Sequence, residues 1–494
     1  MRKQLLMTLG IMIALPIFAD SFRFTYEGQT LDYTVTDEEA KTVQVIRGND
    51  SISGDLVIPP ALDYEGTTYV VTSIGEDAFR GFKKMTSVEI PATVNTIEKM
   101  AFYGCDGLKK AGFASVAQVC GVEFGNEFAN PLQYAYNLYI EGEEIKDLVI
   151  PDSVCSIGEN AFNSCRGLTS VKIPDSVTAI GNYAFKCCNG LISAEIPASA
   201  VSLGRGIFYG CLGLTSVQLP ATISSIEREM FYGCGKLEKI DIPSSVTSIG
   251  NLAFYYCKGL REINIPESVS LIEGSAFEGC KGLETVELPM TLTSIRTEVF
   301  RACSGLKSIV IPDSVVSIGN GAFYGCSSLV SVNIPEKVIY LGERSFMNCT
   351  QLEEITFPPS LEIIKEEAFR GSDALKTVIY RGETPLEGNE NIFDSYVYEN
   401  GNLCVGDGLK DKFAEVTPWK FFSLISEMPS ESDTTGIGIM SEETSDFDFS
   451  QPIEIYNLQG VRIGHLINSL PAGIYIIRQG NKVRKIKGDG FIIP

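Results

Sequence analysis

Residues 312–334 read PDSVVSIGNGAFYGCSSLVSVNI, and this 23-residue pattern returns along most of the chain. Prolines mark the period, each one 23 residues after the last: Pro151, Pro174, Pro197, Pro220, Pro243, Pro266, Pro289, Pro312, Pro335 and Pro358. Positions in the unit are counted from this proline, and position +11 is a phenylalanine in every unit, from Phe162 to Phe369. Such a regular repeat predicts coils that stack on one another rather than separate globular domains.

The end of each unit predicts one short parallel β-strand. Leu168-Thr-Ser-Val171-Lys-Ile173 alternates apolar and polar residues immediately before Pro174, which is typical of a half-buried strand. Proline lacks the amide hydrogen of a sheet, so the strand ends at the same height in each coil. Glycine occupies +7 in only six of the ten units, so a left-handed backbone is not required there.

The composition excludes several classes of function. The chain has 40 Lys and Arg against 62 Asp and Glu, a formal charge of −22, and a field of this sign repels nucleic acid and anionic lipid. His465 is the single histidine, so a zinc site built on several imidazoles cannot form. Because His465 lies far along the chain from the repeats, a Ser-His-Asp triad is also excluded. The sequence predicts no metal, no cofactor and no enzyme.

The chain divides into six predicted segments. Residues 1–19 contain Arg2 and Lys3, a short apolar stretch and Ala19, the pattern of a secretory signal peptide. Pro16 interrupts the stretch, which is too short for a membrane anchor, and no later segment spans a bilayer. We expect a β cap over 20–51, a solenoid over 52–380 with an irregular insertion at about 114–144, a C-terminal cap over 381–426, an acidic linker over 427–451 and a small all-β domain over 452–494.

The motif I-P-x-S-V-x-S-I-G-x-x-A-F-x-G-C, seen from Ile311 to Cys326, resembles the BspA-type leucine-rich repeat family. The resemblance covers about residues 52–380. It implies a curved right-handed repeat solenoid on a bacterial surface, in a family whose studied members are often adhesins for host matrix or plasma proteins. It implies no enzymatic activity, and the family has no fixed binding residues to carry over.

Residues 452–494 resemble a second family, the C-terminal sorting domain of type IX secretion. Tyr456 to Gly460, Leu470 to Tyr475 and Lys482 to Ile486 match its Tyr-Asn-x-x-Gly, Leu-x-x-Gly-x-Tyr and Lys-rich strands, whereas Gly488 to Pro494 extend past the usual last strand. The resemblance implies export to the outer cell surface by that route. A plain accessory β domain is the alternative.

A column of outward side chains is the first candidate binding surface. Because +20 and +22 face the interior, +19 and +21 face outward, and we predict that a protein partner binds there. A merely solvated sheet face is the alternative. The predicted contacts at +21 are Lys172, Glu195, Gln218, Asp241, Asn264, Glu287 and Asn333.

Tyrosines at +12 are the second candidate. Tyr209, Tyr232 and Tyr255 follow the core phenylalanine in three consecutive coils, and they form either a binding strip or edge packing. An enzyme would need two catalytic carboxylates, and Glu195 and Asp241 are the candidates. They lie two coils apart, about 9.6 Å by strand spacing, and this separation is near the upper limit for the carboxylates of an inverting glycosidase. No aromatic platform accompanies them, which argues against this pair. Glycan binding or cleavage is kept as the alternative function.

The cysteine column at +14 has two interpretations. The chain has 14 cysteines, and coils stacked about 4.8 Å apart would allow disulfides in an exported protein. Cysteine is also among the most often buried residues, so a ladder of buried free thiols is the expectation. Together these features predict a secreted or outer-surface monomer whose solenoid face binds other proteins, with host adhesion as the role that the family resemblance implies.

Overall fold

The computed structural model describes residues 21–48 and 52–428, with the strands at 454–456, 462–464, 473–479 and 482–488. The predicted signal peptide and residues 429–451 of the predicted linker lie outside the described residues. The chain forms two compact units, unit 1 (Met1–Thr222 and Met230–Cys234) and unit 2 (Ile223–Glu229 and Gly235–Pro494).

Unit 1 contains two short helices, α1 (Val116–Gly121) and α2 (Leu132–Ala135), a 3₁₀ turn at Glu127–Ala129, and nineteen strands among the described residues. The strands are β1 (Ser21–Tyr26), β2 (Gln29–Asp37), β3 (Thr42–Ile46), β4 (Ser53–Val57), β5 (Ala61–Tyr64), β6 (Thr67–Ile74), β7 (Lys84–Ile90), β8 (Thr96–Ile97), β9 (Lys110–Phe113), β10 (Glu123–Phe124), β11 (Leu138–Ile140), β12 (Glu143–Glu144), β13 (Asp147–Val149), β14 (Ser156–Ile157), β15 (Ser170–Lys172), β16 (Ala179–Ile180), β17 (Ser193–Glu195), β18 (Ser202–Leu203) and β19 (Ser216–Gln218).

Unit 2 contains α3 (Ser395–Asn400) and α4 (Lys410–Phe413), with 3₁₀ turns at Glu390–Ile392 and Trp419–Phe421. Its described strands are β20 (Ser225–Ile226), β21 (Ser248–Ile249), β22 (Glu262–Asn264), β23 (Leu271–Ile272), β24 (Thr285–Glu287), β25 (Ser294–Ile295), β26 (Ser308–Ile309), β27 (Ser317–Ile318), β28 (Ser331–Val332), β29 (Tyr340–Leu341), β30 (Glu354–Phe357), β31 (Ile363–Ile364), β32 (Thr377–Tyr380), β33 (Asn402–Val405), β34 (Leu424–Glu427), β35 (Glu454–Tyr456), β36 (Arg462–Gly464), β37 (Gly473–Gln479) and β38 (Lys482–Gly488). The last four form an antiparallel sheet in the order β36-β35-β37-β38.

Both units are repeat solenoids of 23-residue coils with parallel strands, which confirms the predicted fold class. The predicted strand at +19 to +21 is called strand A, and the column of A strands the A ladder. In unit 1, β13, β15, β17 and β19 pair in this order, and Ser193 faces Ser216, 23 residues later. The sequence period is therefore the register of the sheet.

Each coil also has a second strand that the sequence did not predict. It covers +5 and +6 and is called strand B; Ile157 pairs with Ile180, and Ile180 with Leu203. Not every coil forms both strands. Residues 237–243, in the coil that begins at Pro220, form no A strand, although Ile240 is buried at the inward position +20.

The insertion at 114–144 builds a coil of its own. Its β10 pairs in parallel with β8, and its β11 pairs in parallel with β9. Between them the carbonyl of Phe128 accepts the amide of Phe102 at 3.1 Å, which is the neighbour contact that core phenylalanines make elsewhere. The extra residues form α1 and α2, so the insertion is a degenerate repeat whose strands pair with an A strand and with a B strand of the neighbouring coil.

The phenylalanine column forms the centre of each unit. Phe162 to Phe369 are fully buried at +11. Neighbouring rings stack with centroid distances of 5.3 Å between Phe162 and Phe185 and 5.6 Å between Phe277 and Phe300. Offset stacks of this spacing add attraction to the burial of the rings, and they bind each coil to the next.

The turn around each phenylalanine forms a further set of backbone hydrogen bonds between neighbouring coils. The amide of Phe162 donates to the carbonyl of Ala184 in the next coil at 2.8 Å. Residues +9 and +13 adopt left-handed backbone, as Asn160 (φ 58°) and Ser164 (φ 63°) do. The glycines at +7 do not adopt the left-handed backbone, as the sequence predicted. Glycine is needed at +7 where coils approach closely, because a Cβ on Gly181 would lie 2.6 Å from the amide nitrogen of Glu159.

Candidate protein-binding surfaces

The structure exposes all seven residues predicted at +21. Lys172, Glu195 and Gln218 lie at the ends of β15, β17 and β19 in unit 1, while their inward neighbours Val171, Ala194 and Val217 are buried. Strand geometry explains the alternation, because successive side chains point to opposite faces. We call the outward residues at +18, +19 and +21 the A face. Whether a partner contacts them stays a prediction.

Hydroxyls are prominent on the A face of unit 1. Ser170 and Thr169 both donate to Oδ1 of Asp147, at 2.6 and 3.0 Å. These two hydrogen bonds, that from Ser170 first, lower the pKa of Asp147, because they stabilise its ionised form. The carboxylate is therefore already engaged, whereas Ser193 and Ser216 in the following coils are exposed.

The A face of unit 2 is more strongly charged, and two lysine–glutamate pairs connect neighbouring coils on it. Lys307 Nζ lies 2.6 Å from Glu284 Oε2, and Lys376 Nζ lies 3.2 Å from Glu353 Oε1. The hydrogen bond from Lys307 lowers the pKa of Glu284. Exposed pairs of this kind contribute little stability, but they remove charge from the surface that a partner would meet.

Two of the three tyrosines predicted at +12 lie in unit 1 and stack on each other. Tyr209 and Tyr232 stack at 4.3 Å between centroids with an interplanar angle of 4°, and Lys186 Nζ lies 5.3 Å from the Tyr209 ring. Tyr255 belongs to unit 2, where its ring packs at 4.5 Å against Tyr256. Rings that stack on each other cover one another's faces, so this arrangement favours edge packing over a sugar-binding platform.

The two carboxylates of the glycosidase alternative come from different units. Glu195 belongs to unit 1 and Asp241 to unit 2. Both are exposed, and Asp241 Oδ1 lies 3.5 Å from Lys239 Nζ. In the described part of the chain, no group of His, Cys, Asp and Glu could hold a metal ion.

The cysteine column is structural. Each +14 cysteine from Cys165 to Cys349 is buried as a thiol. The Sγ of Cys188, for example, lies 3.2 Å from the carbonyl of Phe162, and that of Cys326 lies 3.1 Å from the carbonyl of Phe300. Burial raises the pKa of Cys280 to about 12, so these thiols are poor nucleophiles. This arrangement agrees with the thiol-ladder interpretation.

A second surface was missed by sequence reasoning. We call the outward residues at +4 and +5, beside strand B, the B face. It is nearly free of charge, and Val201 in unit 1 and Val316, Ile339 and Ile363 in unit 2 are exposed on it. The signal was present in the sequence, because Ser, Thr and aliphatic residues fill these columns in a strongly acidic chain.

An open cleft of about 460 Å³ lies near the last coils of unit 2 and is lined by Arg370, Asp394, Tyr398 and Phe421 among others. Arg370 pairs there with Glu367 and with Asp394. Its charge is therefore satisfied within the cleft. Among the described residues, no helix is long and apolar enough to cross a membrane.

Residues 67–124 and 135–376 match, in overlapping segments, the profile described as BspA type Leucine rich repeat region (6 copies). A leucine-rich repeat protein from Bacteroides ovatus is 26% identical, over 81% of this chain and 98% of its own, with a TM-score of 0.53. The pneumococcal vaccine antigen PcpA is 16% identical, over 83% of this chain and 99% of its own, with a TM-score of 0.51, a likeness of fold alone. No curated protein sequence matches the chain.

Proposed function

Because the chain belongs to the BspA-type leucine-rich repeat family, whose members are typically secreted or on the cell surface, we propose that it binds other proteins at the cell surface through its A face. Leucine-rich repeat proteins generally mediate protein interactions. Adhesion to host matrix or plasma proteins is the specific role proposed.

One observation carries this proposal. Within each coil the inward positions of strand A keep their apolar character, whereas the outward residue at +21 changes from Lys172 to Glu195 to Gln218 along unit 1. Solvation alone requires only that these residues be polar. A rigid frame that holds different side chains at fixed spacing also supplies the complementary pattern that specific recognition needs.

The test uses the chain from residue 21 onward and immobilised extracellular-matrix and plasma proteins, with binding measured by biolayer interferometry. The variant Lys172→Ala/Glu195→Ala/Gln218→Ala removes three exposed A-face side chains. Ser156→Ala/Val201→Ala/Ser202→Ala is the matched control on the B face of the same unit. We expect at least a tenfold loss of affinity for a bound partner in the A-face variant only. Equal affinity of the two variants, at unchanged melting temperature, would refute the assignment.

The export route is a separate part of the proposal. Residues 452–494 resemble a type IX sorting domain, and we propose that they direct the chain to the outer surface. In a host that has this secretion system, deletion of residues 452–494 is expected to leave the protein in the periplasm, as detected by cell fractionation. Surface display of the truncated chain would contradict the proposal without affecting the binding function.

A further inference from the structure

The A face of unit 2 contains a window of uncharged side chains beside the ion-paired Lys307. We define the window as Ser308, Val310, Val330, Ser331 and Asn333, which come from two successive coils. Ser308 pairs with Ser331 in the A ladder, so Val310 lies beside Asn333. Val310 is 47% exposed and Val330 36%. The first of these coils has one charged side chain on the A face, Lys307 at +18, which is paired with Glu284. The second coil has no charged side chain at +18, +19 or +21.

Acidic residues flank the window on both sides. Glu284 and Glu287 belong to the coil before it, and Glu353 and Glu354 to the coil after it. Glu284 is paired with Lys307, and Glu353 with Lys376. Glu287 and Glu354 are exposed and have no Lys or Arg within ion-pair distance in the described part of the chain. Two free carboxylates therefore border the exposed valines.

This arrangement differs from ordinary scattered apolar exposure. Single exposed aliphatic residues are common on proteins, and Val149 and Ile192 on the A face of unit 1 are of that kind, since they lie in coils that are not adjacent. In unit 2 the two valines lie in adjacent coils, the Lys307 beside them is paired with Glu284, and free carboxylates lie on both sides. A centre depleted of charge inside a polar rim is the usual anatomy of a protein interface.

We propose that the window binds an extended segment of a partner protein with a basic residue at i, an apolar residue at i+2 and a basic residue at i+4. The proposal rests on the proposed function and names its partner chemistry. Glu287 and Glu354 lie three coils apart, about 14 Å across the ladder, and two positions apart along the strand, about 7 Å, so the separation is about 16 Å. Four residues of extended chain cover about 14 Å, the long arginine side chains span the remainder, and i, i+2 and i+4 point to one face. The basic ends therefore reach the two carboxylates while the apolar side chain lies between Val310 and Val330.

The test measures binding of the synthetic peptide Gly-Arg-Thr-Val-Thr-Arg-Gly to the chain from residue 21 onward by fluorescence anisotropy. An Arg-Arg-Thr-Val-Thr peptide keeps the charge but puts the arginines on opposite faces. We expect only the first peptide to bind below millimolar concentration. Removing each rim charge should weaken peptide binding up to about fivefold, so Glu287→Gln/Glu354→Gln should weaken it up to about 25-fold. Val310→Ser/Val330→Ser should abolish measurable binding.

Matched controls lie outside the A face. Glu415→Gln and Val201→Ser change exposed residues of the same types and should leave peptide affinity unchanged, while thermal melts check that all variants fold. Equal binding of both peptides, or an equal loss with Glu415→Gln, would show only general attraction of basic peptides to an acidic protein and would overturn the proposal. If a matrix or plasma protein binds the A face but the peptide does not, the partner chemistry is wrong and the proposed function stands. If neither binds, both are refuted.

Discussion

Truncation of one central ring, Phe300→Ala, tests the interior of the solenoid. Phe300 is fully buried, and its ring stacks on Phe277 and on Phe323, both at 5.6 Å between centroids. Loss of a buried phenylalanine costs about 3–5 kcal/mol. Two stacking contacts are lost as well, each worth about 0.5–1.5 kcal/mol, so we expect a loss at the upper end of that range, about 4–5 kcal/mol.

The loss should be local first. Stability of a repeat protein is close to a sum of coil and interface contributions, so one denaturant midpoint does not describe it. Hydrogen exchange with mass spectrometry resolves individual coils. The amide of Phe300 donates to the carbonyl of Ala322, and that of Phe277 to the carbonyl of Val299. At about 1.4 kcal/mol per tenfold, a loss of about 4 kcal/mol should speed exchange in these coils roughly 1,000-fold.

Phe421→Ala is the matched control, because it removes the same side chain where 40% of the residue is exposed. It should change exchange in the Phe300 coils by no more than experimental error. If Phe300→Ala speeds hydrogen exchange of residues 277–323 less than tenfold, the column of stacked rings is not a main source of stability in the interior of unit 2, and the stacking argument fails.

Four further outcomes are expected. Ser345→Ala should raise stability by about 1 kcal/mol, since the buried Ser345 Oγ has no hydrogen-bond partner among the residues that the structure describes and such a group costs about 1–3 kcal/mol; a lower melting temperature would contradict this. Stability should fall as pH rises above 9, because the unfolded chain then loses thiol protons that the folded chain keeps up to the raised pKa of Cys280, about 12. Urea melts of Cys280→Ala should show a shallower fall between pH 9 and 11. At pH 8, Ellman's reagent should modify the exposed Cys155 before the buried +14 column, and mass spectrometry of the labelled peptides detects the order. Ser176→Ala should cost about 0.5–1.5 kcal/mol in thermal melts, because its hydroxyl donates to a carbonyl of the preceding coil at 2.9 Å, whereas Ser360→Phe, which overfills the same hydroxyl position, should cost more.

The repeat explains why so much of the fold follows from the sequence. A period of 23 residues places Phe162, Phe185 and their successors in one column, and apolar side chains at fixed positions have only the shared interior as a place to be buried. The outward direction of Lys172 or Glu195 follows from the alternation of a strand. Period and alternation are properties of the chain itself, and therefore fold class and A face were predictable.

Other features depend on which atoms meet between coils, and only the tertiary structure decided them. Three such features depend on the backbone direction within a coil. They are strand B, the hydrogen bond from the Cys188 thiol to the carbonyl of Phe162, and the hydrogen bond from the Ser176 hydroxyl to the preceding coil. The pairing of Lys307 with Glu284, which leaves Glu287 without an ion-pair partner among the described residues, depends on side-chain rotamers. A column in the sequence says which residues are neighbours, but their hydrogen bonds and ion pairs require distances of a few ångströms that only the folded backbone sets.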